Sequence, residues 1–562
     1  MTPHDHQRLH GIAVSPGVAV GPLVVVAPAP VAPPDEPAPT DVAASLAQVR
    51  QVLQEVAEQL LARAHEAGPQ ARTILETDAM MARDPGLAQA IEEQLTQGKG
   101  PATAVTEAIA GYSATFETLG GYMAERVTDL LDIRDRVVAR LLGLPSPGVP
   151  TLTTGSILAA HDLAPAETAT LTRETCLGII VEAGGPTSHT AIVAAGMGIP
   201  AIVQVAGVLS VPSGTPVAMD GGTGEVTINP SIEAQTQLNQ RAGRREAALA
   251  SAIGPGATSD AHPVALLANI GTLDDAHHAA ASSAEGVGLF RTEFLFLGRD
   301  TMPSLEEQTQ TYTEVFSLFS SRRVVVRTLD AGADKPLKFA DLGPEENPAL
   351  GRRGIRLGMA RPELLNVQLA ALASAQQITG VDLRVMAPMI ATESEAQWFA
   401  THTRSAGLTQ VGVMIEIPAA AVRSHHILPH VDFASLGTND LAQYTMGADR
   451  MQGELADLLD PLEPALLDVV ALACEGGQTT GKPIGVCGEA GGNPLSALVL
   501  VGLGVSSLSM APTRLPAVRY ALSLHTLEQC QQLAKVAREA SSAHEARTAV
   551  LELVDPALRD VI

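Results

Sequence analysis

The stretch Phe433-Ala434-Ser435-Leu436-Gly437-Thr438-Asn439-Asp440 holds four strand-like residues, a glycine stop, and then an amide and a carboxylate. A short apolar run closed by a turn residue reads as a buried strand. Seven other runs repeat the pattern: Val264–Ala268, Gly286–Phe290, Val324–Arg327, Leu383–Pro388, Val411–Ile415, Pro483–Val486 and Ser507–Met510. Helical stretches separate them, and eight such strands in about 300 residues predict a (β/α)8 TIM barrel. Barrels of this kind carry their chemistry at the carboxyl ends of the strands. Those ends hold Asn269, Arg291, Arg327, Asp330, Glu416, Asn439, Asp440, Cys487 and Glu489, an inventory suited to an active site.

Arg291 and Arg327 can clamp a phosphate or carboxylate with paired donors, and Arg450 follows Asp440 closely in the chain. Glu416 and Asp440 end neighbouring strands and offer hard oxygen ligands. Two carboxylates, with substrate and water completing the shell, is an arrangement that Mg2+ favours. The alternative is that both carboxylates only pair with nearby arginines. Cys487 reads either as a small apolar filler or as a residue lining the site. Together these residues suit a phosphorylated carboxylic acid, and Cys487 could then protonate an enolate carbon.

A second informative segment is Gly184-Gly185-Pro186-Thr187-Ser188-His189-Thr190, which follows the strand-like run Leu177–Val181. The glycines and proline break the strand, and Thr187 and Ser188 suit a helix N-cap. The helix is expected over Thr190–Ala195, ending at Gly196. His189 then lies at a helix N-terminus, where free N–H groups favour an anion. A neutral imidazole there can attack phosphorus and leave a phosphoryl group cradled by the helix end. The plain alternative is an ordinary polar histidine among 15 in the chain.

The 562 residues carry a formal net charge of −25, which argues against a nucleic-acid partner. Four scattered cysteines form no disulfide framework or metal motif, so a reducing, cytoplasmic setting is expected. Prolines and glycines interrupt the apolar stretch Ile12–Val26, leaving neither a signal peptide nor a membrane span. The expected organisation is an α/β domain over 1–40 and 144–229, with an inserted helical bundle at 41–143. A helical linker at 230–255 and the barrel at 256–562 follow. Within the bundle, Val49, Val52, Leu53, Val56 and Leu60 recur at helical spacing, and a Pro-rich connector, Ala27–Pro39, precedes it.

The strings GGPTSHTAIVA, EGVGLFRTEFLF, EENPALG and GTNDLAQYT closely resemble the enzyme I family of the bacterial phosphoenolpyruvate:sugar phosphotransferase system, and the similarity spans nearly the whole chain. The resemblance implies phosphoryl transfer from phosphoenolpyruvate to His189, then to a histidine of the phosphocarrier HPr. It also implies Mg2+ dependence and a homodimer formed through the barrel domain. By position, Thr168 should lie near the phosphohistidine. Arg291, Arg327, Arg353, Asn439 and Arg450 should hold phosphoenolpyruvate, Glu416 and Asp440 magnesium, and Cys487 should donate the proton. The bundle would dock HPr, with Asp78, Asp84, Glu92 and Glu93 facing a basic partner. Departures from the family pattern are Ala195, Asp78 near a customary histidine, Ala442, Met451-Gln452 and Asn493. A dikinase relative is disfavoured because no ATP-binding domain is evident, and a docking-only regulator because the pocket residues are intact.

Overall fold

The computed structural model describes residues 8–27, 29–66, 69–119, 126–145, 147–150, 152, 154–163, 171–185, 188–332, 337–340, 343, 345–450 and 452–562. It forms two compact units, Met1–Asn239 and Gln240–Ile562. Among the described residues no helix is long and apolar enough to cross a membrane, and all four cysteines are free and buried.

In the first unit, eight strands make one mixed sheet: β1 (Arg8–His10), β2 (Ile12–Ser15), β3 (Val18–Val25), β4 (Ser156–Ala160), β5 (Cys176–Val181), β6 (Ala201–Val203), β7 (Pro216–Asp220) and β8 (Glu225–Ile228). Their order is β1-β8-β7-β3-β4-β5-β6-β2, with β3 to β6 parallel and the flanks antiparallel. Both faces of β4 and β5 are covered: Ile157, Ala159 and Ile180 pack in one apolar cluster, Leu158, Ile179 and Val181 in the other. A central parallel strand buried on two sides is a nearly continuous apolar run, as here, where Ser156 at the start of β4 is the polar member and bonds Thr154 O.

Helices Val42–Glu66, Pro69–Ala82, Pro85–Thr96, Pro101–Leu119 and Val127–Leu141 lie between β3 and β4. Three begin with proline, whose fixed φ and missing N–H suit a first turn. Val49, Leu53, Val56 and Leu60 face a shared core with Leu87, Ile91, Ile109 and Ile133. The Pro-rich connector is tied down by Glu36, whose carboxylate accepts hydrogen bonds from Ala102 N (3.0 Å) and Thr103 N (2.8 Å) at the start of a helix. Negative charge there complements the helix dipole.

The second unit is a closed barrel of eight parallel strands: β9 (Ala265–Ile270), β10 (Gly286–Arg291), β11 (Arg323–Arg327), β12 (Asp382–Ala387), β13 (Val411–Ile415), β14 (Phe433–Leu436), β15 (Ile484–Val486) and β16 (Ser507–Met510), closed by β16 pairing with β9. Each apolar run of the sequence becomes one strand. Alternation sends Val324 and Val326 outward to the helices and Val325 inward. Leu289, Val325, Met386, Met414, Phe433 and Cys487 make the apolar plug inside.

One expected surface acid is not at the surface. Asp84, Glu92 and Glu93 are exposed, but Asp78 is only 2% exposed. It occupies the core-facing side of the helix Pro69–Ala82, and its Oδ1 is buried with no hydrogen-bond partner. Burial, then Asp129 and Asp132, push its pKa up to about 7 against the pull of Arg126 and Arg136. A folded-state pKa above the unfolded value means that the native state holds the proton more tightly, so stability falls as pH rises from about 4 to about 7. Asp78→Asn should therefore increase hydrogen-exchange protection in Pro69–Ala82 and Val127–Leu141 at pH 8, with the gain over wild type narrowing toward pH 4.

Candidate functional site

The inner-face alternation that builds the barrel plug continues to its mouth. Two residues beyond Leu289, Val325 and Met414 stand Arg291, Arg327 and Glu416, so strand parity sets these charges above the apolar plug. Arg327, 7% exposed, donates from Nη2 to Glu293 Oε1 (2.9 Å) and from Nη1 toward Asp330 Oδ2 (3.1 Å). Asp330 in turn takes both Nε and Nη2 of Arg353, each at 2.9 Å. Arg353 also reaches Asp440 Oδ1 (3.0 Å) and Oδ2 (3.3 Å), and Arg450 Nη1 lies 3.4 Å from Asp440 Oδ2. The result is a run of alternating charges: Glu293, Arg327, Asp330, Arg353, Asp440, Arg450.

Burial alone would lower the pKa of Arg327, but Glu293, Asp330 and Glu416 carry it above its ordinary value. The guanidinium is charged, yet its Nε is buried without a partner. An unsatisfied buried donor costs about 1–3 kcal/mol, which an anionic ligand oxygen would offset. Arg291, part-buried on the adjacent strand and paired in register with Arg327, has no side-chain hydrogen bond or ion pair among the described residues.

Glu416 Oε2 accepts the N–H of Met389 at 2.9 Å, and Oε1 lies 4.0 Å from Arg327. Burial first, then Asp440 and Asp330, push its carboxyl up to about 8 against the pull of Arg327. Such a group gains from a further cation. Gly437 makes the space: a Cβ there would fall 2.5 Å from both Cγ and Oε1 of Glu416. These hard oxygens fit a divalent cation sharing its shell with a ligand. Asp440 is already engaged by two arginines, as the ion-pair alternative required, but a carboxylate has lone pairs enough to accept from both and still ligate.

Cys487 combines its two readings. It is part of the apolar plug and also sits within the field of Glu416, Arg327 and Arg291. Burial pushes its thiol up to about 11, so it keeps its proton at neutral pH. Asn439 Oδ1 accepts from Glu489 N (3.2 Å), which orients the amide across β14 and β15. Asn269 is a strap instead: its amide bonds Cys487 O (3.1 Å) and Ser509 O (3.4 Å). Asn493 caps the helix Pro494–Gly502 by accepting from Leu495 N and Ser496 N, a role open equally to aspartate.

His189 belongs to the first unit and is the first residue of the helix His189–Met197. Ser188 is the N-cap, accepting from Ala191 N (3.3 Å), and Thr190 Oγ1 donates to Asp162 Oδ1 (3.1 Å). The helix passes through Gly196, where the sequence suggested a stop, and ends at Gly198. Gly198 adopts φ 67°, the left-handed conformation that terminates helices, whereas Gly196 keeps a helical backbone. Thr168 and Met451 lie outside the described residues.

Sequence reasoning missed Glu293, the acid two residues beyond Arg291 that anchors Arg327. Its signal was position: a carboxylate in the first turn after a strand that ends in arginine. Arg353, expected from the resemblance alone, comes from a loop between strands, where periodicity carries no information.

Three family models match the chain: the N-terminal domain of PEP-utilising enzymes over residues 10–126, their mobile domain over 152–224, which contains His189, and their PEP-binding domain over 246–526. A phosphoenolpyruvate-protein phosphotransferase of Streptomyces coelicolor is 52% identical over 504 residues, covering 89% of this chain and 91% of the relative. Proteins of the same name from Haloferax volcanii and Bacillus subtilis are 37% and 36% identical, covering 86% and 85% of this chain and 87% and 86% of their own lengths.

The charge run also makes a stability prediction. Arg353→Met would leave Asp330 and Asp440 buried and underpaired, a loss of about 3–5 kcal/mol. Trp398, the one tryptophan in the sequence, packs against the barrel core, so its fluorescence during urea unfolding should read that loss selectively.

Proposed function

The chain belongs to the phosphoenolpyruvate-protein phosphotransferases of the PEP-utilising enzyme family, and from that premise we propose how its residues carry phosphoryl transfer in the phosphotransferase system. The observation that carries the reading is the buried Nε of Arg327 beside Arg291 at the barrel mouth, both without a partner among the described residues. Two guanidinium groups with donors to spare suit the phosphoryl oxygens of phosphoenolpyruvate. Asn439, Arg353 and Arg450 complete the pocket, and Glu416 with Asp440 would hold Mg2+. When bound, magnesium supplies positive charge against the phosphoryl oxygens.

His189 attacks phosphorus in line. An N–P bond forms as the bond between phosphorus and the enol oxygen breaks, and enolpyruvate leaves. Most of the catalysis is positioning and charge neutralisation, which the arginines supply. The Cys487 thiol, kept protonated by burial, gives its proton to the enol carbon and yields pyruvate. His189 opens the helix His189–Met197, and a helix N-terminus favours negative charge such as that of a phosphoryl group. Thr168 is assigned beside it by position in the family pattern.

The acceptor in this reading is HPr, docking on the helical segment 41–143. Asp84, Glu92, Glu93 and Met80 are exposed there, and acidic side chains suit a basic partner. The segments 1–40 and 144–229 would carry the phosphohistidine, 230–255 the linker, and 256–562 the phosphoenolpyruvate site and the homodimer contact. The pathway served is sugar uptake in the cytoplasm. His189 must visit both the barrel mouth and the carrier, which agrees with the description of its matching segment as a mobile domain.

Incubation with phosphoenolpyruvate labelled at phosphorus and Mg2+ should place acid-labile, alkali-stable label on the wild-type chain and none on His189→Ala. Label on both, or on neither while the protein is folded, would sink the assignment.

A further inference from the structure

We propose that Glu293 is a positioning residue for the phosphoryl pocket, acting through Arg327, an inference that rests on the phosphotransfer reading above. Glu293 opens the short turn Glu293–Leu295 immediately after β10 and is 5% exposed. One oxygen, Oε1, accepts from Arg327 Nη2 (2.9 Å) and from the backbone N–H of Asp330 (3.0 Å). It therefore fixes a guanidinium and the loop that follows the same strand. Asp330, so held, takes Nη1 of Arg327 on one side and the Nε edge of Arg353 on the other.

Geometry makes the consequence specific. With Nη2 turned to Glu293 and Nη1 to Asp330, the planar guanidinium is held at two of its three nitrogens, and Nε is the nitrogen without a partner among the described residues. The backbone beneath is braced too: Thr292 Oγ1 donates to Arg327 O (2.9 Å) while accepting from Gln368 Nε2 (3.1 Å), and Gln368 Oε1 accepts from Leu329 N (3.0 Å). Without Glu293, Arg327 keeps its charge and its tie to Asp330 but loses the contact that orients it. The Asp330 N–H, buried, loses its acceptor.

The test compares Glu293→Gln, Glu293→Asp and Glu293→Ala with wild type in labelling of His189 from phosphoenolpyruvate and Mg2+. Glutamine keeps an oxygen that can accept from both donors. Aspartate is too short to reach both. The Ala and Asp variants should raise KM for phosphoenolpyruvate about tenfold or more, with label per chain at saturation unchanged, while Gln stays within about threefold of wild type. A purely structural role would lower label per chain and leave KM alone, and that result overturns the proposal. So does a KM within about twofold of wild type in both Ala and Asp, or an equal rise in Gln and Asp. If alanine fails to fold, the Asp and Gln pair decides. No label on wild type would refute the phosphotransfer reading itself, a different failure from a wild type that labels and a Glu293→Asp that matches it.

Discussion

Alternation of charge across the barrel mouth is the constraint on which the rest of the site depends. Three guanidinium groups and three carboxylates, Glu293 to Arg450, are drawn from the turn after β10, the end of β11 and the loop after it, the loop carrying Arg353 and the segment after β14. None could be buried alone, because an isolated ion loses far more hydration than a protein interior returns. Placed together, the four inner charges have an opposite neighbour on both sides and the end members, Glu293 and the part-exposed Arg450, on one, so the run holds its members at set distances. Among the described residues the run leaves Arg327 Nε without a partner, and Arg291 beside it makes no side-chain hydrogen bond or ion pair.

Below that ring the barrel supplies rigidity through apolar packing. The plug residues Leu289, Val325 and Met414 stand two positions before Arg291, Arg327 and Glu416, so the pleat that seals the interior also sets these three charges above it. Glycine provides the remaining room. At Gly437 a methyl group would occupy the place of Glu416, which explains why a residue without a side chain stands between strand β14 and its catalytic-end amide and carboxylate. The same economy appears in the first unit, where Ser188 caps the helix that begins at His189 and Gly198 ends it.

Much of this is legible in the sequence. Eight apolar runs with polar residues at their ends foretold eight parallel strands and the face on which the charges gather, because strand parity and barrel closure leave few alternatives. His189 at a helix start was readable from the Gly-Gly-Pro break and the capping serine. Where reading stopped short, side chains were placed by contacts remote in sequence. Asp78 looks like any helix-surface acid in its local sequence, and only packing against Val127–Leu141 buries it within the field of Asp129 and Asp132. Gly196 looked like a helix stop because glycine is a poor helix former, yet the terminating conformation was adopted two residues later.

By itself, the sequence determined the periodicities, the turn chemistry and the inventory of ionisable groups, all of which are set by bonding and sterics within a few residues. Tertiary structure alone decided which charges are partners. Glu293 and Arg327 lie 34 positions apart, and Arg353 and Asp440 lie 87 apart. Closing such loops is governed by the burial of the whole barrel core, and the local chain carries no record of it. The same long-range packing determines which arginine is satisfied by the protein and which keeps a donor for a ligand.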